Sequence, residues 1–112
     1  MRQLNRGENL VQAELEEIAS KYYITSHAKI RMLERGLNEE AIKKIILNPL
    51  VAYFNTDGTI NIAQDKNYYL VVRYDSYYDN YVVITYKEPS RNGKNIFEKQ
   101  QLAIEGKDRI VA

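Results

Sequence analysis

The apolar positions along this chain keep one period up to Pro49 and another beyond it. Val11, Leu15, Ile18 and Tyr22 recur at helical spacing, with Glu14, Glu16 and Glu17 off the stripe, which predicts a helix over about residues 8–22. A second helix follows, capped by Thr25 or Ser26, with Gly36 suited to the C′ position. Asn38 is a good N-cap for a third, whose buried stripe is Ile42, Ile45 and Ile46. Glu39 and Glu40 suit the positive end of its dipole. Pro49 stops it, because the residue before a proline disfavours helix.

After Pro49 the period is two. LVAYF, INIAQ, YYLVVRYD and YVVITYK read as four strands. NTDGT, with Asp57-Gly58 at its centre, DKN and SYYDN are the turns between them. Helices followed by strands point to an α+β domain, with N-terminal helices packed on a four-stranded antiparallel meander. Residues 1–112 read as a single domain, with a helical part at 1–49, the sheet at 50–88 and a loop and C-terminal tail at 89–112. The pattern leaves three forms open to the tail: a short helix, a fifth strand or a mobile segment.

The last hairpin allows a prediction about faces. An even pairing sum sets Val71 across from Thr85, Arg73 from Val83 and Tyr69 from Lys87. Tyr69, Arg73, Thr85 and Lys87 then share an open face, while Leu70, Val72, Val82, Ile84 and Tyr86 meet the helices. A single bulged residue would break this assignment.

Composition narrows the chemistry. Cysteine is absent and His27 is the only histidine, so thiol catalysis and a thiolate metal site are excluded, and cleavage by two histidines of this chain with them. No phosphate-binding glycine loop, G-x-S-x-G or H-E-x-x-H pattern occurs, so neither a cofactor nor a metal is expected. There is no run of about 18 apolar residues and no signal-peptide stretch at the start, so no membrane partner is expected. Net charge is +1, but its distribution is uneven: residues 27–44 and 86–112 each sum to +2, residues 45–85 to −2 and residues 1–26 to −1. The positive segments suit an anionic ligand. The chain holds ten tyrosines, a residue that fills half-buried strands and also stacks on bases.

His27, Arg31 and Arg35 fall at i, i+4 and i+8 of the second helix. A helix-start histidine is commonly a surface or cap residue, and both arginines have Glu34 and Glu39 as near partners. The same row also brings an imidazole that can move a proton next to guanidiniums that bind phosphate and stabilise charge on it. Thr85 can hold a phosphate oxygen, with Tyr86 or Lys87 beside it.

SHAKIRMLERGLNEEAIKKIILNP resembles the start of a widespread bacterial domain family of unassigned function, with the pattern H-A-x-x-R-M-x-E-R-G and an N-P after the next helix. VVITYKEPS resembles the end of the same family, where a V-I-T strand is typical. The order of elements is similar to the barnase–EndoU–colicin–RelE group of metal-independent ribonucleases, which supplies toxin domains of polymorphic bacterial toxins and of toxin–antitoxin pairs. The resemblance covers about residues 24–90 and leaves out the first helix and the tail.

It implies a metal-independent endoribonuclease that cuts tRNA or other structured RNA by 2′-OH attack. The products would be a 2′,3′-cyclic phosphate and a 5′-OH, with no action on DNA. The implied catalytic residues are His27, Arg31, Thr85 and Tyr86. Substrate binding falls to Arg35, with Arg73, Lys87 and Tyr69 added from the face assignment. The implied partners are RNA and a cognate immunity protein or antitoxin that presents carboxylates to the cationic residues. The expected place of action is the bacterial cytoplasm, reached directly or by delivery as part of a larger toxin. A second reading is a non-catalytic protein- or RNA-binding module of such a system.

Overall fold

A computed structural model of the chain describes residues 3–88 and 93–107. The elements are α1 (Gln12–Ser20), β1 (Tyr22–Ile24), α2 (Ser26–Glu34), α3 (Glu39–Leu47), β2 (Val51–Phe54), β3 (Ile60–Ala63), β4 (Tyr69–Asp75), β5 (Asn80–Lys87) and α4 (Ile96–Ile104). The fold is α+β, with one five-stranded sheet in the order β1-β5-β4-β3-β2. Strands β2 to β5 are the expected antiparallel meander. The fifth strand comes from the N-terminal half instead of the tail, and β1 runs parallel to β5.

The helix starts follow from capping chemistry. Thr25 accepts the Ala28 N–H and Asn38 the Ala41 N–H, each satisfying a backbone donor that has no partner inside its helix. Gly36 takes φ +71° just past α2, where an L side chain would be strained. The first helix is shorter than its stripe suggested. It ends at Ser20, and Tyr22 belongs to β1, where it pairs with Tyr81.

Helices α1, α2 and α3 cover one face of the sheet. Ile18, Ala28, Met32, Ile42 and Ile46 pack there on Ile62, Leu70, Val72 and Val83. The tail folds as a helix, α4, started by Asn95, whose side chain accepts the Phe97 and Glu98 N–H groups. It covers the second face, which the sequence pattern had left open: Ile96 and Ala103 close on Tyr53, Ala63 and Tyr69. Residues 89–92 and 108–112 of the expected loop and tail lie outside the described residues.

The outer edge of β2 is paired by the segment before α1. Gly7 N–H donates to Phe54 O at 2.6 Å and Leu10 N–H to Ala52 O at 2.9 Å. That covers an edge which would otherwise present free backbone groups. No helix among the described residues is long and apolar enough to cross a membrane.

Several tyrosines make the fold alkali-sensitive. Burial pushes the phenols of Tyr69, Tyr81 and Tyr86 above their ordinary range, and at Tyr81 the Glu17 carboxylate, 2.7 Å from the hydroxyl, adds to the effect. Unfolded tyrosines ionise near pH 10 while these stay protonated in the fold, so above that pH the unfolded chain binds fewer protons. Stability is therefore expected to hold below about pH 9.5 and to fall steadily towards about pH 11. A pH series of thermal melts followed by far-UV circular dichroism checks this, and a flat profile across that window would contradict it.

Candidate functional site

The site begins at the junction of β1 and α2. The Thr25 N–H donates to Val83 O at 3.2 Å, continuing the β1–β5 ladder. Its hydroxyl accepts the Ala28 N–H at 3.1 Å and donates to Ile84 O at 2.8 Å. Ile84 is the extra residue of a bulge in β5, between the pairs Val71–Thr85 and Val72–Val83. One side chain thus caps α2, satisfies the bulge carbonyl and seats the helix against the second half of β5.

From this seat Ala28 and Met32 point into the core. His27, Arg31 and Arg35 are each one residue out of phase with that buried stripe, so the row runs along its margin. His27 is exposed in the first turn. The half-buried Arg31 places Nη1 3.8 Å from Oε1 of Glu88, just past β5. Arg35 lies over the Tyr68 ring, with Cζ 3.8 Å from its centroid, and Nη1 donates to the Tyr68 hydroxyl at 3.0 Å. Among the described residues neither arginine pairs with Glu34 or Glu39: the partners are Glu88, just past β5, and Tyr68, just before β4.

Tyr68 stacks on Tyr86 with ring centroids 5.8 Å apart and 15° between planes. Tyr86 is 1% exposed and its hydroxyl donates to Oε1 of Gln64. Burial raises the Tyr86 phenol, and the nearby Arg35 guanidinium opposes part of that rise. Tyr86 therefore stays a neutral phenol that holds Tyr68 and Arg35 in place, with little surface to offer a substrate.

No family model, curated protein or solved structure matches this chain.

The eight residues singled out from the sequence divide between the two faces of the sheet. His27, Arg31, Arg35 and Tyr86 belong to the side that carries α2. Tyr69 is buried under α4, and Thr85 pairs with Val71, which packs against the same α4 cluster. Lys87 is exposed at the end of β5 and pairs with Tyr69. Arg73 is exposed on β4 but pairs with Val82 instead of Val83, because the bulge shifts the register by one beyond Val71. The same shift buries Val83 completely, while Val82 and Ile84, expected against the helices, are only partly buried. Thr85 and Tyr86 are neighbours in sequence and face opposite sides.

Three residues of the site carried no local signal. The sheet brings Glu88 to Arg31, Tyr68 to Arg35 and Gln64 to Tyr86, over separations that no periodicity records. Among the described residues, no group of three or more His, Cys, Asp or Glu side chains gathers as a metal site.

The Arg31–Glu88 contact is half-exposed and adds little to stability. An anion approaching Arg31 from that side would have to displace this carboxylate. Glu88→Gln is expected to tighten binding of a short single-stranded RNA about threefold, with little change in melting temperature. Fluorescence anisotropy of a labelled oligonucleotide reads this, and weaker binding would argue against Arg31 as a phosphate contact.

Proposed function

We propose that this chain is a metal-independent endoribonuclease that works from the margin of α2. The observation that carries the reading is the seating of an exposed imidazole in one helical row with two guanidiniums, fastened to β5 through Thr25. Arg31 binds a non-bridging oxygen of the scissile phosphate in place of Glu88 and stabilises charge that develops there. His27 takes the proton of the adjacent 2′-OH. The O2′–P bond forms, the P–O5′ bond breaks and the leaving 5′-oxygen is protonated by the imidazolium formed in the first step. Arg35, held flat on the Tyr68 ring, offers the outer face of its guanidinium to an unstacked base.

Two observations favour a second reading, RNA binding without cleavage. Tyr86 is almost wholly buried, and Thr85 faces the other side of the sheet from α2. Neither residue of the family motif's strand therefore meets a phosphate held by Arg31 in this arrangement. A test that separates the two readings uses one RNA oligonucleotide and its copy with 2′-deoxy sugars throughout. Cleavage of the first alone, leaving 2′,3′-cyclic phosphate ends, supports the enzyme. Binding of the RNA with no cutting supports the module.

A further inference from the structure

The second face of the sheet holds a cleft whose lining shares only Glu88 with the α2 site. It lies between the sheet and α4, has a volume of about 770 Å³ and is partly open to solvent. That size is in the range of small-ligand sites.

Its floor is polar and ordered. Asn61 is buried on β3, where a hydrophobic residue would be expected. Asn55 donates to Asn61 Oδ1 at 2.7 Å, and Asn61 donates in turn to the Tyr53 hydroxyl at 2.9 Å. A chain of hydrogen-bonded amides beneath a cleft suits a ligand with polar edges better than a lipid tail.

Its wall is cationic. Lys87 comes from β5, Lys94 from the approach to α4, Lys99 from α4 and Lys107 from beyond it. Against these four stand Asp57 and Glu88, giving the lining a net charge of +2. Both acids are engaged elsewhere: Asp57 accepts the Thr59 N–H and hydroxyl, and Glu88 faces Arg31. Lys87 and Lys99 have no carboxylate within 4.0 Å among the described residues. Lys99 is half-buried beside the Tyr69 ring, 5.9 Å from its centroid. Burial first, and then the charges of Lys87 and Lys94, push its ammonium pKa down. Lys107 is exposed and pairs with Glu105 at 3.6 Å, whereas Lys87 and Lys94 lie near enough to the half-buried Lys99 to repel its charge, and a multivalent anion would relieve that repulsion.

We propose that this cleft binds the phosphate groups of a small phosphorylated ligand, with Lys87 and Lys99 as principal contacts and the Asn55–Asn61 floor beneath the remainder. Two sources share this chemistry, a nucleotide and a sugar phosphate. The inference is independent of RNA cleavage, since it uses neither His27 nor Arg31.

The test is calorimetric titration of the full chain with ADP, ribose 5-phosphate and inorganic pyrophosphate. Saturable one-to-one binding of at least one of them is expected, and the tightest of the three identifies the source. Lys87→Gln and Lys99→Gln should each weaken it about tenfold or more, while Lys43→Gln, an exposed lysine on α3, should change it by less than about twofold. Lys99→Gln removes a charge that its surroundings disfavour, so the ligand-free melting temperature should not fall, which separates lost binding from lost folding. No binding of any of the three would overturn the proposal. So would equal weakening by Lys43→Gln, which would mean diffuse attraction to net charge.

Discussion

His27→Ala is expected to lower the rate of RNA cleavage by about a hundredfold to ten-thousandfold, the range lost when a positioned acid–base group is removed. Affinity for uncleaved RNA should stay within about twofold, because the proposed mechanism gives the phosphate and base contacts to Arg31 and Arg35. The side chain is exposed and lies outside the core cluster, so the fold should tolerate its loss. Single-turnover cleavage beside anisotropy titration separates rate from affinity. A matching fall in both would assign His27 to binding.

Thr25→Val carries the largest expected cost to stability outside the apolar core. Valine keeps the shape of threonine but supplies no oxygen to the Ala28 N–H and no hydroxyl to Ile84 O. The lost cap costs about 1 kcal/mol, and the lost hydrogen bond to Ile84 O about 1 kcal/mol more. For a chain of this size the sum of about 2 kcal/mol corresponds to a melting temperature lower by roughly 8 °C. The same bonds seat α2 on β5, so cleavage should fall in Thr25→Val even where the protein is fully folded. Thr25→Ser keeps both hydrogen bonds and should restore most of the stability and the activity. Equal melting temperatures for the valine variant and the wild type would remove Thr25 as the fastening point.

Much of the fold was legible wherever a local rule applied. Asn38 with the Ile42, Ile45 and Ile46 stripe marks α3, and Thr25 and Gly36 bracket α2. The pairs Tyr69–Lys87 and Val71–Thr85 stand as the alternation predicts. The reading fails one residue later. Val82, Val83 and Ile84 are consecutive β-branched residues, so no polar position marks which of them faces out, and a bulge among them leaves no trace in the pattern. Strand β1 was hidden for a different reason. It is three residues long, too short for a period, and its parallel pairing with β5 is non-local. Tyr22 also extends the α1 stripe by chance.

The candidate site is legible to a similar depth. The His27–Arg31–Arg35 row follows from helical spacing alone. Its partners do not, because the ring under Arg35 and the carboxylate beside Arg31 come from residues flanking β4 and β5, far along the chain. The assignment of Thr85 and Tyr86 to one site rested on motif order, and a strand turns successive side chains to opposite faces. The lysine cleft had no signal before α4 was placed, since three of its four lysines lie beyond β5.

The central claim is catalysis from the α2 margin, and its most direct measurement is incubation of the purified chain with total bacterial RNA in a chelator, beside His27→Ala. Denaturing gels of the tRNA and rRNA give the answer. The account predicts discrete fragments from the wild-type chain and intact RNA from the variant. Intact RNA in both lanes, from protein shown to be folded, would contradict it.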